Sequence, residues 1–313
     1  MHIFKVFALL FIVLLSGCSK EKRADKKGVI MQEFIVELSQ YARTIDSHFI
    51  IIPQNGSELA FNKIYPDEGL NLSFLATIDG FGIEQVIYDG EYHPDDERLD
   101  NLNKIVESKT ILVSDYVYNT DYIADAQLKA TEKGFLSFPR TPDNYDYLTI
   151  PSEISNENAI DVNSLADAQN YLYLISNENY LDKESFIAAI NATNFDLVLI
   201  DAFFNGQLFT MEEIDALKTK NNGAKRLVIA YMNVGAAESY RYYWEEDWKL
   251  NHPRWLKKNY EGYPDEIWVK FWHKDWKNII YGNDQSYTKK LLNSGFDGAY
   301  LDNVEAFYFL YFD

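Results

Sequence analysis

Residues 295–313 read GFDGAYLDNVEAFYFLYFD, and the fold turns on where this stretch is placed. A short apolar strand, Ala299 to Leu301, runs directly into Asp302, Asn303 and Glu305. Strands that end in carboxylates are what catalytic β/α folds use, because their reacting groups gather at the carboxyl ends of parallel strands. The chain stops soon after Glu305, so this strand needs partners from far earlier in the sequence. The natural partner is FIIIPQ at residues 49–54, and the expectation is that the run ending at Asn303 lies hydrogen-bonded beside the run ending at Gln54.

The rest of the chain alternates short β-branched or aromatic runs with longer amphipathic stretches, the pattern of βα units on a parallel sheet. The predicted strands are FIIIPQ, GIEQVIY, TILVSDY, YLYLIS, DLVLIDAF, RLVIAYMN, EIWVKFW and GAYLDN. Helical stretches such as MQEFIVELSQYARTI, DDERLDNLNKIVES and DQSYTKKLLNSG lie between them, the last stopping at Gly295. Eight such units predict a (β/α)8 TIM barrel spanning residues 30–313 as a single domain, a size at which such barrels remain undivided. Residues 139–166 hold three prolines among many Asn, Asp and Ser residues and predict a long irregular connection.

Residues 1–17 carry an apolar run too short to span comfortably as a helix and read as an export signal. LLSGC closely resembles a bacterial lipobox, which implies lipidation of Cys18 and an extracytoplasmic position in a bacterial cell envelope, on a membrane anchor. Residues 18–29 then predict a polar, basic tether. Cys18 is the single cysteine among 313 residues, so no internal disulfide and no cysteine metal site can form. The formal net charge of -19 argues against nucleic acid as a partner, since phosphate binding needs clustered Lys and Arg. The histidines, His48, His93, His252 and His273 among them, show no ligand spacing, and no dinucleotide or phosphate loop occurs; catalysis without metal or cofactor is expected.

Polar residues gather at six of the predicted strand ends: Gln54 and Asn55, Glu84, Asp115 and Tyr116, Asp201, Asn233 with Glu238, and Asp302 with Asn303. A single Asp after a strand commonly caps the next helix. Six such ends together favour a site. Glu305 stands two or three residues past its strand and is expected to turn away, and Arg241 to pair with a nearby acid.

YMNVGAAESYRYYW, PDEIWVKFW and GFDGAYLDNVEAF, in that order, resemble the third, fourth and fifth strand regions of the endo-α-1,4-polygalactosaminidase family, glycoside hydrolase family 114. ELSQYARTIDSHFIIIPQNGSEL is similar to that family's sixth unit, IDGFGIEQVIYDGE to its seventh strand, TILVSDYV to its eighth and GFLSFPR to its tail. The resemblance implies a circularly permuted barrel with strand order 6-7-8-1-2-3-4-5, and it makes residues 139–166 the join between old ends. It further implies that Asp302 matches the family's catalytic aspartate and Glu84 its later glutamate. Hydrolysis of a glycosidic bond uses two carboxyl groups, one to protonate the leaving oxygen and one as nucleophile or base. Asp302 is assigned as nucleophile or stabiliser and Glu84 as acid/base. Glu238, Asp201, Asp115, Asn55 and Asn303 are expected to bind substrate or orient these groups, and Tyr231, Tyr116, Trp268 and Trp272 to offer ring faces to sugars. The implied substrate is an α-linked polysaccharide, galactosamine among its candidate sugars. The alternative is a carbohydrate-binding surface lipoprotein without turnover.

Overall fold

A computed structural model describes residues 3–312, with side chains from Lys20 onward. The export signal at 1–17 and the lipidation site at Cys18 therefore lie outside the residues described in full.

Eight strands run parallel. They are β1 (Ile50–Pro53), β2 (Gly80–Tyr92), β3 (Thr110–Val117), β4 (Leu136–Ser137), β5 (Tyr171–Leu174), β6 (Leu197–Asp201), β9 (Leu227–Asn233) and β13 (Gly298–Asp302). Two-residue strands β7 (Phe203–Phe204) and β8 (Gln207–Leu208) form a small hairpin after β6. Strands β1, β5 and β9 are buried throughout, as strands covered on both sides must be.

One sheet has the order β1-β13-β9-β6-β5 and the other β2-β3-β4. In the first, β1 lies parallel to β13 with Ile50 opposite Gly298 and Pro53 opposite Leu301. The ladder continues where Gln54 N–H donates to Leu301 O at 2.9 Å. A single parallel bridge, Gln54 to Gly82, then passes the arc from β1 to β2. Read around, the arc is β5-β6-β9-β13-β1-β2-β3-β4, so the last strand of the chain sits between β9 and the first.

Two expectations change. The barrel is not closed by hydrogen bonds: among the described residues no ladder joins β4 to β5. Pro139, which has no N–H to donate, follows almost at once on the two-residue β4, and the seam is filled by side chains, with the ring of Phe138 meeting that of Tyr171 at 5.6 Å. EIWVKFW is not a strand of the arc. Its residues Glu266–Val269 form β12, antiparallel to β10 (Ala236–Glu238) and β11 (Leu256–Asn259) in a separate small sheet. Its place is taken by β4, from the GFLSFPR stretch read above as a tail.

Helix α1 is assigned from Ile3 to Ile45. Met31, Phe34, Ile35, Leu38 and Ala42 recur at helical spacing and are buried in the core. The predicted tether at 18–29 is helical too, and from Ala24 onward it is docked. Ala24 is buried, Asp25 accepts a hydrogen bond from the Tyr65 hydroxyl at 2.5 Å, and Lys27 lies 3.5 Å over the Trp272 ring. Trp272 thus takes a cation on its outer face. Among the described residues no helix is long and apolar enough to cross a membrane. Residues 139–166 are irregular apart from short turns at Pro142–Asn144 and Leu165–Asp167.

The interior of the arc is filled by tyrosine rings, and Gly82 makes room for one of them. A Cβ at Gly82 would lie 1.9 Å from the Tyr300 hydroxyl oxygen. Gly82→Ala is therefore expected to lower unfolding stability by about 1–3 kcal/mol, the usual cost of overpacking a core. Urea denaturation measures it, and an unchanged midpoint would contradict this packing.

Candidate active site

The carboxyl ends of β1, β6, β9 and β13 and the register break within β2 open into a cavity of about 650 Å³. Asp302 closes β13. Its Oδ2 accepts a hydrogen bond from the Tyr231 hydroxyl and its Oδ1 one from the Asn303 backbone N–H at 2.7 Å. Burial, reinforced by the nearby Glu84 charge, pushes its pKa up to about 7 against the pull of the Tyr231 hydrogen bond.

Glu84 stands where β2 breaks register, and Gln85 follows with φ of 52°. The backbone there is held from two sides. Glu84 N–H donates to Asn55 Oδ1 at 3.1 Å, and Arg98 Nη2 donates to both Asn55 Oδ1 and Glu84 O at 2.9 Å. The Glu84 carboxylate accepts a hydrogen bond from the Tyr147 hydroxyl and lies 3.5 Å from Arg140 Nη2.

Asp201 and Glu238 share one guanidinium. Arg241 contacts Asp201 Oδ1 and Oδ2 at 2.8 and 2.7 Å, and its Nε donates to Glu238 Oε2 at 2.7 Å. The expected pairing of Arg241 with an acid is what the structure has. Glu238, whose other oxygen accepts from the Tyr240 hydroxyl at 2.7 Å, is buried, braces Arg241 and Tyr240, and does not line the cavity. Asp201 lines the cavity.

Asp115 is buried below the site. Its Oδ1 accepts the N–H groups of Val86 and Ile87 at 2.9 and 3.0 Å, which pins the irregular backbone after Glu84, and burial pushes its pKa up to about 6. Tyr116 packs edge-on against Tyr118 and Tyr145, and Trp268 is buried under Tyr260, stacked at 4.2 Å. Neither lines the cavity, so their expected contact with sugar is not what the structure places there. Asn55 and Asn303 do line it, and Asn303 Oδ1 accepts from the Tyr260 hydroxyl at 3.2 Å.

Glu266 and Glu305 also line the cavity. Glu266, on β12, accepts from Asn233 Nδ2 at 3.0 Å; burial first, then Glu238 and Asp302, push its pKa up to about 8. It opposes Glu238 across the β10–β12 pair. Its sequence signal was a glutamate opening an apolar run assigned to the wrong sheet. Glu305 does not turn away. Asn303 adopts φ of 61°, a left-handed step that Asn tolerates better than most residues, and the reversal returns Glu305 to the cavity, where burial pushes its pKa up to about 8. Arg140, Tyr147, Tyr173, Tyr260 and Tyr263 line it as well. Among the described residues no group of three or more His, Cys, Asp or Glu side chains could hold a metal ion.

Residues 185–309 match the model of glycoside-hydrolase family GH114. Over those residues the chain is similar to that family. Asp201, Glu238, Glu266, Asp302 and Glu305 fall inside the matched span and Glu84 outside it. The chain is 33% identical to an uncharacterized protein of Methanocaldococcus jannaschii over 55% of its own length and 48% of that protein's. An uncharacterized protein of Thermotoga maritima is 32% identical over 44% of this chain and 39% of its own. One of Deinococcus radiodurans is 32% identical over 38% and 36%. The chain thus spans about half, or less, of the length of the curated relatives it matches.

Four carboxyls with raised pKa values, one buried and three partly buried, make stability pH-dependent. Burial pushes Asp115, Asp302, Glu266 and Glu305 up to about 6, 7, 8 and 8 in the folded chain, against about 4 when unfolded. Between about pH 4 and 8 the folded state binds more protons than the unfolded one, so unfolding free energy falls as pH rises through that window. The melting temperature followed by circular dichroism is expected to drop by several degrees from pH 5 to pH 8.5. A constant or rising value would contradict the burial of these groups.

Proposed function

We propose that this chain is a glycoside hydrolase that cleaves an α-linked, galactosamine-containing polysaccharide, with Asp302 and Glu84 as its two working carboxyls. The observation that carries the reading is that both line one cavity although they lie far apart in sequence. They stand on β13 and β2 with only β1 between, so their backbones are about 10 Å apart, at roughly 4.8 Å per strand spacing. Side chains converging from that distance reach the separations of about 5–10 Å used by retaining and inverting enzymes.

Both oxygens of Asp302 accept hydrogen bonds, an arrangement that suits a carboxylate acting as nucleophile or stabiliser. Glu84 then protonates the leaving oxygen. Carboxylates outnumber the two guanidinium groups in the cavity lining, and the resulting negative potential favours an amine-bearing sugar. We extend the proposal to the arc as a permuted (β/α)8 barrel. With β12 outside the arc, the order relative to a barrel beginning at β5 becomes 5-6-7-8-1-2-3-4. Anchorage through Cys18 in a bacterial envelope belongs to the same reading, on the strength of LLSGC.

Incubating α-1,4-galactosaminan with wild type, Asp302→Asn and Glu84→Gln and measuring reducing ends tests this. Wild type should release sugar and each variant should lose about 10²-fold or more, the contribution expected of a working acid or base. With Asp302 required as the anion, wild-type activity should fall as pH drops below about 7. Equal release by all three proteins would overturn the assignment. Binding without release would favour the non-catalytic carbohydrate-binding reading.

A further inference from the structure

We infer that the irregular connection 139–166 is part of the catalytic apparatus, with Arg140 and Tyr147 as the positioning residues that hold the Glu84 carboxyl. The inference rests on the reading of Glu84 as acid/base.

The backbone of Glu84 is fixed by Asn55 and Arg98, but nothing on β2 itself reaches its carboxyl group. The groups that do both come from the connection: the Tyr147 hydroxyl donates to Oε1, and Arg140 Nη2 lies 3.5 Å from the same oxygen. The hydroxyl is itself oriented. It lies 2.9 Å from Ser114 Oγ, and Ser114 is the register partner of Glu84 on β3, so one phenol ties together facing residues of two strands.

The connection is built to keep that phenol still. Tyr147 sits at φ of 56°, a left-handed conformation that a bulky side chain rarely adopts and that persists only where its surroundings over-determine it. They do so here. Asn144 Oδ1 accepts the N–H groups of Leu148 and Thr149, both at 2.8 Å, and Tyr147 O accepts from Ser176 N–H at 3.3 Å. The Tyr147 ring stacks on Tyr173 with centroids 3.7 Å apart. Arg140 is held as firmly: its Nη1 donates to Tyr145 O at 2.7 Å, and its guanidinium lies 4.6 Å from the rings of both Tyr145 and Tyr147. A segment that served only to cross from β4 to β5 would need neither the strained tyrosine nor the buried arginine. These two residues also stand at the seam that no ladder closes, so the gap in the barrel wall is where the support for Glu84 enters.

Positioning of a proton donor has a signature that a structural role lacks. A leaving group that departs as a stable anion needs no protonation, whereas a sugar alcohol does. Tyr147→Phe, which keeps the stacked ring, and Arg140→Met are compared with wild type in the full chain, on a 2,4-dinitrophenyl α-galactosaminide and on α-1,4-galactosaminan. For both variants kcat/KM on the polymer is expected to fall about 10- to 100-fold, within the span of general acid catalysis, while that on the dinitrophenyl substrate stays within about threefold. Equal losses on both substrates, or none on either, would overturn the inference. Crystal structures of the two variants supply a readout without activity: the Glu84 carboxyl should leave its place beside residue 147, and an unmoved carboxyl in both would overturn the inference even if wild type cleaved neither substrate. Failure of wild type on every polysaccharide, with the carboxyl displaced, would instead refute the functional reading and leave the positioning role standing.

Discussion

The parallel pairing of β1 with β13 is the contact on which the rest of the molecule depends. It joins the first strand of the chain to the last, and it starts where Ile50 N–H donates to Asp297 O at 2.9 Å. Gly298 makes it possible: a Cβ there would lie 2.5 Å from Ile50 O. From this seam the backbone bonds pass through Gln54 to Gly82 and so to β2. Asp302 and Glu84 stand on two sheets, which the Gln54–Gly82 bridge joins through β1. With it, they face one cavity from strands that flank β1.

The cavity is electrostatically costly, and its wiring shows how the cost is contained. Arg241 serves Asp201 and Glu238 at once, so one half-buried and one buried carboxylate are matched by one cation that is itself almost fully covered. Glu84 has Arg140. Among the described residues Asp302, Glu266 and Glu305 have no such ion-pair partner, and burial raises all three instead. Carboxyls raised toward neutral pH within one cleft are what acid–base chemistry there requires, and structural stability is given up to hold them there.

Much of the arc was legible because it rests on local pattern. IIIP, LVLID, LVIAYMN and GAYLD are aliphatic runs of strand length, and their carboxyl-end residues follow from strand direction alone. That is why Asp302, Glu84, Asp201 and Asn55 could be placed at the mouth. EIWVKFW failed the same test because a short apolar run does not reveal whether its partners are parallel or antiparallel. The two-residue β4 is too short to show a period at all. Among site residues, Glu305 depended on one left-handed residue at Asn303, and Glu266 on the antiparallel sheet over the mouth, neither of which leaves a local trace. Trp268 and Tyr116 were over-read for the opposite reason: in a chain with 16% aromatic residues, rings pack on rings, and strand position alone does not separate a lining ring from a supporting one.

The central claim is that Asp302 and Glu84 act as one catalytic unit across the β1 seam. A double-mutant cycle tests it most directly, comparing kcat/KM on α-1,4-galactosaminan for Asp302→Asn, Glu84→Gln and the two combined. Groups that work in the same transition state are strongly non-additive. The account predicts that the double variant is no slower than the worse single variant by more than about threefold. Losses that multiply, each substitution costing as much in the other's background as alone, would contradict it.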